Sequence, residues 1–176
     1  MKKLKWYNQL VAAMLAAFLA VVAPFSIPFG AIPLTLATLG VYLAAVIGGA
    51  GFGTFAVALY LLLGAVGLPV FSGFVGGVQA FLAPTGGFLL GYLPCTVAIG
   101  VGLRLGNYTR LSCLLSLLTG TVVLYACGIF GFMYATNTPF WASVVACCVP
   151  SVIGDAVKMA AVIALFPTLT KLTKRT

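Results

Sequence analysis

Histidine is absent from this chain, and acidic residues come to a single one, Asp155. A Ser-His-Asp triad, a carboxylate pair for general acid and base work, and a histidine-ligated metal are therefore excluded. Charge of either sign is missing from positions 6–103 and again from 111–154, and charged residues make up 6% of the whole, against about a quarter in soluble domains. No soluble fold leaves that much surface uncharged. The five cysteines (Cys95, Cys113, Cys127, Cys147, Cys148) form no C-x-x-C spacing, and their odd number argues against a disulfide framework. They read as small apolar side chains packed between helices. With so little to make or break bonds, the chain is expected not to be an enzyme and to hold no metal or cofactor of its own.

What is present is hydrophobic: 63% of the 176 residues, with a mean hydropathy of +1.23. At about 20 apolar residues per span, the length suits roughly six transmembrane helices with short connections. The expected fold is an all-α membrane protein, with 1–176 forming one integral membrane domain. Any ATPase or regulatory activity must come from another chain.

Positions 1–7 form a basic, aromatic collar, in which Trp6 and Tyr7 suit the membrane interface. The apolar run 8–23 resembles the core of a signal peptide ending at Val21-Val22-Ala23, but collar plus run is nearly a full span, which favours a retained first helix. Three prolines and a glycine in 24–33 end that helix and predict a lid-like loop at the membrane surface. The apolar stretch 34–66 exceeds one span, and its cluster Gly48, Gly49, Gly51 and Gly53 predicts a tight turn between two short helices, 34–47 and 54–66. Segment 67–87 is apolar yet broken by Pro69, Pro84 and several glycines. Irregular backbone at membrane depth belongs where protein buries it or where it lines a cavity, so this segment points to a site. A fourth helix is expected over 88–103, a polar turn over 104–110, a fifth helix over 111–134 and a polar turn over 135–139. The remainder is too long for one span and contains Pro150, which suits a helix N-terminus. It predicts a short interfacial piece, 141–149, followed by a sixth helix, 151–170.

Six spans with a cytoplasmic N-terminus put Lys2, Lys3, Lys5, Arg104, Arg110, Lys171, Lys174 and Arg175 on the cytoplasmic side and leave Lys158 as the only cation elsewhere. Segments 24–33, 67–87 and 135–139 then share the outer face. The net charge of +8 follows from this distribution and does not imply nucleic-acid binding.

Asp155 and Lys158 stand three residues apart on one face of the expected sixth helix, one to two turns inside its outer end. Charge at that depth costs at least a few kcal/mol per group. The pair could neutralise itself and merely face the bundle interior, could grip a polar solute, or could relay a proton. The relay is weakened by the lack of a second carboxylate or histidine. Other polar groups in apolar surroundings are Thr35, Thr38, Ser72, Gln79, Thr85, Tyr92 and Thr96. Hydroxyls can bond their own helix backbone. The Gln79 amide needs partners in a dry setting, and a ligand contact or an internal network would both supply them. On the first helix Ala12, Ala16 and Ala20 recur every four residues beside a parallel row of Ala13 and Ala17. Small residues so spaced let another helix approach closely, either within the bundle or from a separate membrane protein.

The string Gly67-Leu68-Pro69-Val70-Phe71-Ser72-Gly73, then Gly76-Gly77, then Pro84-Thr85-Gly86-Gly87-Phe88-Leu89-Leu90-Gly91-Tyr92 resembles the signature of the BioY family, the biotin-binding S components of energy-coupling factor (ECF) transporters. Ile32-Pro33-Leu34-Thr35-Leu36, the alanine rows, Pro150 and Gly154-Asp155-x-x-Lys158 agree in order along nearly the whole chain. The resemblance implies the six-helix S-component bundle with both termini cytoplasmic, in a bacterial inner membrane. It implies a biotin site on the outer side under the two lid loops. It also implies partners: a transmembrane coupling subunit, which the alanine rows would dock, and two cytosolic ATPases that use ATP. Biotin would be met by Asp155, Lys158 and Gln79 at its ureido or carboxylate groups, by Thr38 and Thr85, and by Phe71, Phe88 and Tyr92 around its bicycle. The chain itself has no phosphate-binding Gly-x-x-x-x-Gly-Lys-Ser/Thr loop. Three rivals remain: an S component for another vitamin, a self-sufficient proton-coupled transporter using Asp155, and a structural membrane subunit without a ligand.

Overall fold

The computed structural model describes residues 2–28 and 32–173. Lys174 and Arg175 lie outside the described residues, as do the side chains of Lys2, Lys3, Lys5, Tyr7, Pro150 and Lys171. The described chain forms α1 (Lys2–Val22), β1 (Ser26–Ile27), β2 (Leu34–Thr35), α2 (Ala37–Gly48), α3 (Thr54–Ala65), α4 (Gly86–Leu105), α5 (Arg110–Thr136) and α6 (Phe140–Thr173). Among the described residues, four helical stretches are long and apolar enough to cross a membrane: Ala37–Ala65, Gly86–Leu105, Arg110–Thr136 and Ser151–Leu169. Within α1 and α6, Asn8–Val22 and Phe140–Val149 are shorter apolar stretches.

The stretch Ala37–Ala65 is not straight. At its glycine cluster, Gly49 takes φ +64°, and a side chain at Gly53 would strike the Ala44 carbonyl and come within 3.2 Å of Ala45 Cα. Residues nine apart in a continuous α-helix stand about 13 Å from each other, so the chain folds back here, as the glycine spacing predicts. α1 packs against α2 and α3 through Ala12, Leu15, Ala16 and Leu19, all buried. Ala12 and Ala16 are enclosed by their own bundle and Ala20 is half-buried, which leaves this row little surface for a second protein. Ala13 and Ala17 are exposed, with Leu10, Met14, Phe18 and Val21 around them.

α4 and α5 form the most extensive helix pair, touching backbone to backbone where Gly87 meets Gly131. The turn between them passes through Asn107 and Tyr108 at φ +54°, and Thr109 caps α5 by accepting the Ser112 N–H at 3.1 Å. α6 departs from expectation: it runs unbroken from Phe140 through Pro150, with no separate interfacial piece. Proline removes one N–H and does not oblige a membrane helix to end, because packed neighbours and local adjustment satisfy the freed group. Asp155 therefore lies about 22 Å along α6 from Phe140, some four turns in and not one to two.

The connections segregate by end. The loop after α1 carries the small β1–β2 hairpin, Ser26 pairing with Thr35 and Ile27 with Leu34. It meets the loop after α3 (66–85), where the Gly73 N–H donates to the Pro24 carbonyl at 3.0 Å and the Phe25 and Phe74 rings stand edge to face at 5.7 Å. At the opposite end, the α2–α3 turn packs on α4, Gly100 abutting Ala50, close to the α4–α5 turn flanked by Arg104 and Arg110.

Candidate ligand-binding site

A cavity of about 160 Å³ opens beneath the two joined loops, walled by α2, α4, α5 and α6 with Tyr60 of α3. Its deep end is polar. Asp155, 3% exposed, accepts at Oδ1 from the Thr38 hydroxyl (3.0 Å) and the Lys158 ammonium (2.9 Å), and at Oδ2 from the Tyr125 hydroxyl (2.7 Å). Lys158 also donates to Thr38 Oγ1 at 2.6 Å, closing a ring of three side chains. Helical spacing brings Asp155 and Lys158 together, whereas Thr38 and Tyr125 arrive from α2 and α5.

Counting bonds shows what this end can still do. A carboxylate offers about four lone-pair sites and an ammonium three donors. Three carboxylate sites and two ammonium donors are taken, which leaves one acceptor at Asp155 and one donor at Lys158. The pair is also neutral as a whole. A ligand carboxylate would meet attraction from Lys158 and repulsion from Asp155 at nearly the same range. The arrangement suits a neutral group carrying an N–H beside a C=O, such as a cyclic urea or amide edge.

The walls are aromatic and seated on glycine. Phe71 lies over Gly64 and stacks edge to face on Tyr60 (5.6 Å) and Phe81 (5.5 Å); Phe88 lies over Gly128 and meets Tyr125 at 6.4 Å. A Cβ at Gly64 would collide with the Phe71 ring. Gly64→Val is thus expected to push Phe71 into the cavity and weaken ligand binding by about tenfold or more, an overpacking penalty of 1–3 kcal/mol. Titration of the variant checks this, and unchanged affinity would show that Phe71 can reseat.

The sequence model of the BioY family matches residues 1–175. The chain belongs to the BioY family. BioY relatives include the biotin transporter BioY2 of Lactococcus lactis subsp. cremoris, 36% identical over 137 residues that cover 78% of this chain and 75% of that protein. The biotin transporter BioY of Thermotoga maritima is 42% identical over 119 residues, covering 68% of this chain and 70% of that one. Among solved structures, the S component for biotin from an ECF-type ABC transporter superposes with a TM-score of 0.88 at 26% identity, over 97% of this chain and 94% of that one.

In this BioY-family chain the cavity gathers Asp155, Lys158, Thr38, Tyr92, Phe71, Phe88 and Thr85, together with Ser72 and Thr35. Gln79 is not among them. It lies exposed on the single helical turn Val78–Phe81, which turns its neighbour Ala80 toward the cavity and Gln79 away, folded against Gly77. Thr96 is also elsewhere, bonding the Tyr92 carbonyl of its own helix at 2.7 Å. Sequence reasoning passed over Tyr125 and Ser151. Tyr125 had a signal, since a phenol inside a span needs a hydrogen-bond partner. Ser151, 8% exposed and one turn before Asp155, shares its helical face.

Proposed function

We propose that this chain is the biotin-binding S component of an ECF-type uptake transporter. It takes biotin from the outer side of a bacterial inner membrane and relies on a transmembrane coupling subunit and two cytosolic ATPases to complete transport. The observation that carries this reading is the neutral donor and acceptor pair at the deep end of an aromatic-walled cavity, in a chain of the BioY family. Biotin's ureido ring presents N–H and C=O groups on one edge. In the proposed pose an N–H donates to the open Asp155 site and the carbonyl accepts from Lys158. Phe71, Phe88 and Tyr92 wall the bicycle.

The orientation follows from charge. The cavity lies under the loops that follow α1 and α3, while Arg104 and Arg110 stand at the other end of the molecule. Positively charged ends face the cytoplasm, so the loops face outward, and six crossings leave both termini inside. Exposed Ala13 and Ala17 supply the small-residue surface for the coupling subunit.

Titration of detergent-purified protein with biotin tests the reading. Saturable binding at micromolar concentration or tighter is expected, with no heat from thiamine or riboflavin; silence toward biotin would sink it. Tyr125→Phe is expected to lower the melting temperature of the purified protein, because the hydrogen bond it loses to the Asp155 carboxylate contributes about 1.5–3 kcal/mol to stability, and to weaken biotin binding only as far as Asp155 shifts without it. Unchanged affinity in the same titration would show that Asp155 needs no third donor.

A further inference from the structure

A ligand with an anionic tail finds no free cation in this site. Positions 6–103 carry no charge, so neither loop, nor α2, α3 or the start of α4, can offer one. Arg110 stands at the opposite end of α5, and among the described residues the only charged ones lining the cavity are Asp155 and Lys158. Lys158 is engaged with Asp155 and Thr38 at 2.9 Å and 2.6 Å. A carboxylate placed against it would sit within a few ångströms of Asp155, an uncompensated second anion in a dry setting.

The loop end of the cavity is built differently. Val75 lines it and is 47% exposed, whereas Asp155 at the other end is 3% exposed. The nearby polar groups in the 66–85 loop are the hydroxyls of Ser72 and Thr85, which donate to a carboxylate oxygen or an amide oxygen alike.

We infer that the site selects its ligand by the neutral head and is indifferent to the charge of the tail. The tail runs out past Val75, and a carboxylate, a carboxamide or a lysine conjugate is accepted equally. The ligand class is therefore ureido compounds with extended tails, including biotinamide and biotinyl-lysine. This rests on the biotin reading above and extends it.

The test is calorimetric titration of the full detergent-purified chain with biotin and, separately, with biotinamide, repeated on Lys158→Met. Biotinamide is expected to match biotin within about fivefold, the most that a solvent-screened tail contact contributes, and Lys158→Met is expected to weaken both ligands by a similar factor. Biotin binding with a larger loss for biotinamide would overturn the inference while leaving the biotin reading intact. So would a Lys158→Met variant that weakens biotin alone. Failure of both ligands to bind the unaltered protein would overturn the inference and the biotin reading together.

Discussion

Asp155→Asn is expected to weaken biotin binding by more than about tenfold, because the site loses the charged acceptor of the ureido N–H, a hydrogen bond that contributes about 1.5–3 kcal/mol. Three donors converge on the Asp155 carboxylate, from Thr38, Lys158 and Tyr125. An asparagine amide presents one oxygen and two N–H groups, so at least one of those donors would face another donor. The Lys158 ammonium would also lose its counter-charge in a setting where its own exposure is small. Both effects undo the geometry that offers one acceptor and one donor to a urea. The measurement is titration of the purified variant, with thermal melting alongside to separate lost binding from lost fold. A double variant, Asp155→Asn with Lys158→Met, sharpens the comparison, since it removes the stranded charge. It is expected to regain melting temperature without regaining biotin affinity. Affinity within tenfold of the unaltered protein in either variant would remove Asp155 from the proposed site and favour a self-neutralising structural pair.

The second large effect concerns the two alanine rows of α1. Ala16 is 3% exposed, and a tryptophan there has no space to enter. Ala16→Trp is expected to prevent the bundle from packing, so that protein fails to accumulate in the membrane and binding and uptake are lost together. Ala17, one position on, faces outward. Ala17→Trp is expected to leave biotin binding of the purified chain unchanged and to reduce cellular uptake to background, because a large ring there holds off a helix that must approach closely. Radiolabelled uptake and titration on the same preparations read the two outcomes. Normal uptake by Ala17→Trp would remove this face from the docking surface of the coupling subunit. A folded, biotin-binding Ala16→Trp would show instead that α1 is not locked into its bundle.

Position for position, some features were legible before folding is considered. The lack of charge over 6–103 and 111–154 dictates a lipid-facing chain, since such surface is unstable in water. The α2–α3 turn follows from the glycine cluster at 48–53, where backbones touch. Asp155 and Lys158 meet because residues three apart on a helix are neighbours wherever that helix lies. The irregular 67–87 segment marked the cavity because backbone without a helix cannot face lipid.

Other features awaited the packed structure. In water a helix reveals its buried face by the period of its apolar residues. In lipid both faces are apolar, so the same pattern cannot tell Ala12 and Ala16 from Ala13 and Ala17. Nor could spacing foresee that Tyr125 would reach the carboxylate already bonded by Thr38 from 117 positions away. Pro150 lies within α6, which runs on past it, so the local preference of proline for a helix start does not set the boundary. Gln79 faces outward because a single turn at Val78–Phe81 directs its neighbour to the cavity. The sequence by itself determined the solvent, the turns and the Asp155–Lys158 ion pair, all of which depend on composition or on neighbours along the chain. Only the tertiary structure decided which face of each helix looks inward and which groups surround that pair, because those depend on how uniformly apolar helices pack against one another.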